Sequence, residues 1–215
     1  MAALNTPPPK TAVDPTRLTK IPIKAGATLI RVYDPKSKYK PGPRTFRRNG
    51  PRTRFDHHRG TPNGTTIAPS DDPDRAVYYA ALTLSSAVVE VFGEDRVIER
   101  GTFRVVYSTI QKDLLLLDLR GDAAIRAGTI HAIGQVEDTA KTQAWSRYIY
   151  ENTPTYGIVD GLIYANAHNG EDAIVLYERA APVIRSAYQR VRRFAAPGME
   201  MALLRIADTT GFALV

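Results

Sequence analysis

Residues 76–93 read AVYYAALTLSSAVVEVFG. The run opens on a β-prone triplet, Val77-Tyr78-Tyr79, passes Thr83 as a helix N-cap, and continues into an apolar helix that Gly93 stops. Leu84, Ala87, Val88 and Val91 recur at helical spacing and are expected to form the buried face. Glu90 falls on the flank of that face. An unpaired charge is costly to bury. Glu90 is therefore either a carboxylate paired with one of the chain's many arginines or a functional group.

Working outward, Thr28–Tyr33 reads as a first strand, and residues 34–73 are rich in Pro, Gly, Arg and Asn with little periodicity. So long an irregular segment in a compact domain is more often functional or mobile than merely connecting. Residues 1–24, with Pro7–Pro9, Pro15 and Pro22, are expected to be an extended or disordered arm, leaving 25–215 as one domain. After the central helix, Thr102–Ser108 and Leu114–Leu119 read as strands, Asp122–Gly128 as a short helix or turn, and Asp138–Glu151 as a helix. Ala140, Ala144, Trp145, Tyr148 and Ile149 would form that helix's apolar face. Gly161–Tyr164 and Ala173–Tyr177 are strands around a turn at Asn169-Gly170. Ala181–Phe194 is expected to be a basic helix and Ala202–Ile206 a last strand. Strands outnumber helices without βαβ alternation, which points to an α+β domain.

The chain has 215 residues, no cysteine and a net charge of +7, from 29 Lys and Arg against 22 Asp and Glu. Disulfides and thiolate zinc sites are excluded. No apolar run is long enough to span a bilayer, and MAALNTPPPK lacks the pattern of a signal peptide, so a cytoplasmic protein is expected. The basic excess is uneven: residues 36–59 hold nine basic residues and one acid, Asp56, and Arg185, Arg190, Arg192 and Arg193 form a second cluster. Such clusters suit a polyanionic partner. No phosphate-binding loop or dinucleotide fingerprint stands between a strand and a helix. His57-His58 has the wrong spacing for one helical face and no evident third ligand, so no metal site is expected.

In this order LIRVYDP, RTRFDHHRGTP, VYYAALTLSSAVVEV, the Trp145 helix and DGLIYANAHNGEDAIVLYE resemble the RES domain, best known as the toxin of RES–Xre toxin–antitoxin pairs. The resemblance runs from Thr28 to Tyr177. It implies an ADP-ribosyltransferase-like fold, a mixed β-sheet core with flanking helices, and NAD as substrate rather than cofactor. It also implies an Xre-type antitoxin as partner. Two positions depart from the family pattern: Asn166 stands where the family has serine and His168 where it has arginine.

The residue types suit cleavage of the nicotinamide–ribose bond, which passes through an oxocarbenium-like transition state. By this resemblance Glu90 stabilises the developing positive charge, Tyr79 stacks on the cationic leaving group, and Arg31 and Arg54 grip the diphosphate. Glu90, Arg31 and Tyr79 form the catalytic set; Arg54, Tyr164, Asn166 and His168 the substrate-binding set. The acceptor would be water, phosphate or, in an ADP-ribosyltransferase, a protein. Two other readings stay open. An inactive homologue would follow from the changes at Asn166 and His168. A basic nucleic-acid-binding module would explain the charge, but not Glu90, and no helix-turn-helix or zinc-finger signature supports it.

Overall fold

The computed structural model describes residues 4–64 and 66–215. In chain order the strands are β1 (Lys20–Ile23), β2 (Thr28–Tyr33), β3 (Asn49–Gly50), β4 (Thr61–Asn63), β5 (Thr66–Ala68), β6 (Ser70–Asp71), β7 (Val77–Ala81), β8 (Val97–Ile98), β9 (Arg104–Thr109), β10 (Leu114–Asp118), β11 (Gly161–Ala165), β12 (Asp172–Tyr177), β13 (Tyr188–Arg193) and β14 (Ala213–Leu214). The helices are α1 (Leu84–Phe92), α2 (Gly121–Arg126), α3 (Thr139–Glu151), α4 (Thr153–Tyr156), α5 (Ala181–Ser186) and α6 (Glu200–Thr210). Eight strands form one sheet in the order β1-β10-β11-β12-β7-β2-β9-β13. Among the described residues, the β10–β11 pair is the one parallel pair of this sheet. The class is α+β, with a mixed sheet at its core and helices on its faces.

The centre of this sheet is its weakest seam. β7 pairs with β12 over five residues and β2 with β9 over six, but β2 and β7 meet only at Ile30 and Ala81. Beyond that point the two strands splay. The irregular segment turns back into the gap, where Arg47 exchanges two backbone hydrogen bonds with Val77, at 2.8 and 3.0 Å. Backbone groups freed by the splay are thereby paired, as buried amides and carbonyls require.

Three apolar clusters hold the layers together. On one face, Tyr164, Val175 and Tyr177 pack under Trp145 and Ile149 of α3. Beside them, Ile30, Val32 and Val105 lie under α1 and α6. On the other face, Leu29, Tyr78, Leu116, Ile163 and Leu176 meet Ile184 of α5.

Thr83 is the N-cap of α1, its hydroxyl accepting from the Ser86 amide at 3.0 Å. The buried face of this helix differs from the expected one. Val89 and Phe92 are buried, whereas Val91 is 40% exposed and Leu84 only partly covered. Polar contacts on the other flank set this rotation: Ser86 Oγ donates to the Asp172 carbonyl, and Glu90 accepts from two groups of the β11 end. Gly93 ends the helix but keeps right-handed backbone angles. Its small size is required because a Cβ there would collide with the His168 ring.

Four other expectations are corrected. Residues 20–23 of the supposed arm pair with β10 as an edge strand, Leu4 is buried, and the Trp145 indole N–H donates to the Asn5 carbonyl at 2.7 Å. On α3, Ala140 is exposed while Thr142 and Ser146 are buried. The basic helix over Ala181–Phe194 is instead a short helix, α5, followed by β13, whose alternation lets it pair with β9. The last strand is α6, with Leu203, Ile206 and Ala207 buried at helical spacing and Gly211 left-handed after it.

The irregular segment is held by buried polar groups rather than by a core of its own. Asp56, fully buried, accepts from Arg47 Nη2 (2.8 Å), Tyr79 Oη (2.6 Å), the Arg52 amide (2.6 Å), the Thr53 amide (3.1 Å) and Thr53 Oγ1 (3.0 Å). Asp72 takes both arms of Arg59. His57, with no exposed surface, bonds Glu178 at 2.9 Å, and His58 reaches the Arg47 carbonyl at 3.0 Å. Burial alone would raise the Asp56 carboxyl, but Arg47, Tyr79 and the two amides together hold it below its ordinary 3.8.

Removing this carboxylate deprives a guanidinium, two hydroxyls and two amides of an acceptor. Asp56→Ala is expected to cost about 3–5 kcal/mol in urea unfolding, and Asp56→Asn distinctly less because an acceptor remains. Because the folded pKa lies below the unfolded one, the carboxylate's contribution is complete above 3.8 and lost as pH falls through the folded value. The acid decline of stability should therefore be shallower in Asp56→Asn than in the parent. An equal slope in both would show that Asp56 does not anchor the segment.

Candidate functional site

Two neighbouring features gather the residues singled out from the sequence. The first is the cleft opened by the splay of β2 and β7. It measures about 430 Å³ and is lined by Arg31, Arg47, Arg48 and Tyr79, with Tyr39 and Phe46 from the irregular segment. Arg31 projects from β2 on the side of Tyr78. Its guanidinium lies 4.3 Å from the centre of the Tyr78 ring and donates to the Thr45 carbonyl at 2.9 Å. Both contacts are ones a planar guanidinium makes well and an ammonium makes poorly.

Tyr79 closes the cleft from the other strand. Its hydroxyl donates to Asp56 Oδ1 and to the Arg54 carbonyl. Both acceptors come from one tight bend, in which Phe55 has a positive φ of 65°. A buried aromatic rarely adopts that angle, and such strain persists only where the surroundings impose it. Here the Phe55 ring lies 4.6 Å from that of Tyr164, while Arg54 and Asp56 flank the Tyr79 hydroxyl. With that hydroxyl occupied, Tyr79 has its ring to offer the cleft.

The second feature is a polar cluster around Glu90. Tyr164, fully buried, donates its hydroxyl to Glu90 Oε1 at 3.2 Å, and Asn166 Nδ2 donates to Oε2 at 2.7 Å. Asn166 is itself fully buried. Its Oδ1 accepts from the His168 amide at 2.8 Å, and Nδ2 also approaches the Ser86 carbonyl at 3.4 Å. A serine at this position has one rotatable oxygen and could not make all of these contacts at once. Asn166 thus ties the turn after β11 to α1.

Among the described residues, no Lys, Arg or His nitrogen lies within ion-pair distance of Glu90. Burial raises its carboxyl above the ordinary 4.5, partly offset by Tyr164 and by the more distant charges of Arg54 and His168. Arg54 donates to the Val136 carbonyl at 3.2 and 3.4 Å, which holds its head near this cluster. The ordinary structural account of Glu90, a carboxylate balanced by an arginine, is therefore not what the fold contains.

The structure brings Glu90, Tyr164 and Asn166 into direct contact, sets Arg54 and His168 around them, and joins Tyr79 through the Phe55 bend. Arg31 lies in the cleft without touching Glu90. Three contributors escaped the sequence reading: Asp56, Arg47 and Phe55. The signal for Asp56 was present, as the single acid among nine basic residues of 36–59. Among the described residues no cluster of three His, Cys, Asp or Glu has metal-binding geometry, and no helix is long and apolar enough to cross a membrane.

Comparison with known proteins adds a family to this geometry. No curated protein matches the chain. A solved chain from the M. tuberculosis MbcT–MbcA toxin–antitoxin complex is similar at 16% identity, with 82% of this chain and 85% of that chain covered and a TM-score of 0.49. Residues 28–197 match the RES domain. That span contains the cleft, the Glu90 cluster and every strand of the central sheet except β1, and the chain belongs to the RES domain family.

Proposed function

We propose that this RES domain is a toxin that cleaves the nicotinamide–ribose bond of NAD, passing the ribosyl group to water or phosphate, and that an Xre-type antitoxin restrains it. One observation carries the reading: Glu90 is a largely buried carboxylate held by two neutral donors and no cation. Such a group is poised to answer a positive charge that arises only during reaction. The fold supplies the other groups a dinucleotide would need: Tyr79 and Arg31 line the cleft with an aromatic face and a guanidinium, and the charge of Arg54 acts on Glu90 itself.

In the proposed step the bond from the anomeric carbon to the pyridinium nitrogen breaks, and its electron pair leaves with nicotinamide. The ring nitrogen thereby loses its positive charge as the ribose gains one. Glu90 stabilises that oxocarbenium character, and the oxygen of water or phosphate then bonds the anomeric carbon. With water as acceptor, one proton is released to solvent. Tyr164 and Asn166 orient the Glu90 carboxylate, each through one of its oxygens. Arg31 and Arg54 balance the diphosphate, where a bidentate grip favours Arg over Lys. None of these steps uses a metal.

Incubation of the purified protein with NAD, with and without phosphate, should consume NAD at a rate a chelator leaves unchanged. Product analysis then identifies the acceptor. Expression in a bacterial host should arrest growth and lower cellular NAD, with reversal by a cognate Xre-type partner. Soluble expression with normal growth and intact NAD would remove the toxin reading.

Glu90→Gln separates a catalytic from a structural role. Turnover should fall about a hundredfold, roughly 3 kcal/mol of transition-state stabilisation, with NAD binding much less affected. Stability should move the other way. The folded pKa of Glu90 lies above 4.5, so ionisation costs stability as pH rises from 4.5 through the folded value. At neutral pH the glutamine variant should be as stable as the parent or more so. In the parent, kcat/KM should fall toward acid with an apparent pKa above 4.5. A folded Glu90→Gln protein with near-parental turnover would take Glu90 off the catalytic list.

A further inference from the structure

We propose that the outer edge of β13 is a docking site for an acidic, extended segment of a partner protein, which joins the sheet as an additional strand. The inference rests on this edge alone and not on the NAD reading.

β13 ends the eight-stranded sheet, paired with β9 on one side only. Its six residues, YQRVRR, contain no proline and no acid. The opposite edge, β1, carries Pro22, which has no N–H to offer, beside Lys20. Those are familiar ways to blunt an edge. β13 keeps every backbone donor, so alternate amides and carbonyls along its outer side face away from β9 to pair with another strand, apart from the Arg193 carbonyl, which accepts from the Ala196 amide at 3.0 Å.

The charge of this edge is unanswered. Arg190 and Arg192 project on one face of the sheet and Arg193 on the other. Arg193 lies directly opposite Arg104 of β9, a like-charge pair that destabilises a sheet. Among the described residues, none of Arg104, Arg185, Arg190, Arg192 and Arg193 reaches a carboxylate. Apolar surface accompanies the charge: Tyr188 is 74% and Val191 40% exposed. On the Arg190 and Arg192 face a basin of about 470 Å³ opens beside Tyr107 and Tyr188. A strand laid along the edge would place side chains i and i+2 into that basin, at the spacing of the two arginines.

The same pattern decides among occupants. A second copy pairing antiparallel about Val191 would set Arg190 of each against Arg192 of the other, so self-association is disfavoured. A nucleic-acid backbone would answer the guanidinium groups but leave the strand edge unpaired. A strand with acids at alternate positions answers charge, apolar surface and free backbone groups together.

The test uses the full chain and a labelled peptide of about ten residues alternating Glu and Val. A second peptide of identical charge has alternate amides N-methylated, and a thymidine oligonucleotide serves as the phosphate probe. Binding is followed by fluorescence anisotropy, and hydrogen exchange reads amides 188–193. The unmodified peptide should bind and slow exchange at alternate amides of β13. N-methylation should weaken it about tenfold, as should Arg190→Glu combined with Arg192→Glu. Equal binding of the methylated peptide, or unchanged exchange over 188–193, would overturn strand addition. An oligonucleotide that binds more tightly than the peptide, and is lost in the same double variant, would overturn it in favour of a phosphate footprint. Should the double variant fail to fold, the methylated peptide and the exchange pattern on the parent protein still decide.

Discussion

A single buried carboxylate makes the splayed sheet possible. Two adjacent strands that part company expose backbone groups and apolar edges, and something must fill the wedge. Here it is an irregular segment with little apolar content. Asp56 converts that segment into a rigid part by collecting five donors at once, from Arg47, Arg52, Thr53 and Tyr79. Desolvating a carboxylate is unfavourable, and it is tolerated because every lone pair finds a partner. The same contacts position Tyr79 and Arg47 on two sides of the cleft. Anchoring the segment and shaping the site are therefore one event.

Glu90 is the counterpart in which the partners are withheld. Tyr164 and Asn166 orient it without neutralising it, and burial favours its protonated form. Asp56 is held ionised by a guanidinium, whereas Glu90 has only neutral donors within reach. Two carboxylates of one fold thus have opposite electrostatic settings, one held ionised and the other pushed toward its protonated form. That separation is a common mark of sites where titratable groups have different tasks.

Much of this was legible in the residues. The strand into α1, the Thr83 cap, α3 and the hairpin of β11 and β12 follow from local patterns, because each is a short-range consequence of spacing and capping. The rotation of α1 was not legible, since the buried side depends on the polar grip of Ser86 and Glu90 on residues some eighty positions away. β13 was misread for the same reason. Its alternation competes with a generic helical tendency, and pairing with β9 decides the outcome. α6 failed in the opposite direction, because a short apolar run is ambiguous until its buried side is known. For the site, Glu90, Tyr164 and Asn166 were identified individually, but Asp56 and the Phe55 bend were not. Their significance lies in five converging donors and a left-handed φ, which no linear spacing displays.

The net charge of +7 also acquires a location. Much of the basic stretch 36–59 that suggested a polyanion is engaged internally: Arg47 with Asp56, Arg59 with Asp72, Arg54 with the Val136 carbonyl, Arg48 with the Pro73 carbonyl and Arg44 with the Ala187 carbonyl. Counting charge along the chain treats those arginines as available, whereas most are fastening the wedge or lining the cleft. The second cluster differs in kind. Arg190, Arg192 and Arg193 stand on the outermost strand with no carboxylate partner among the described residues, and Arg193 faces another arginine. An excess with internal work to do explains itself through folding. An excess at an open sheet edge, with Arg193 set against Arg104, has no such account in folding.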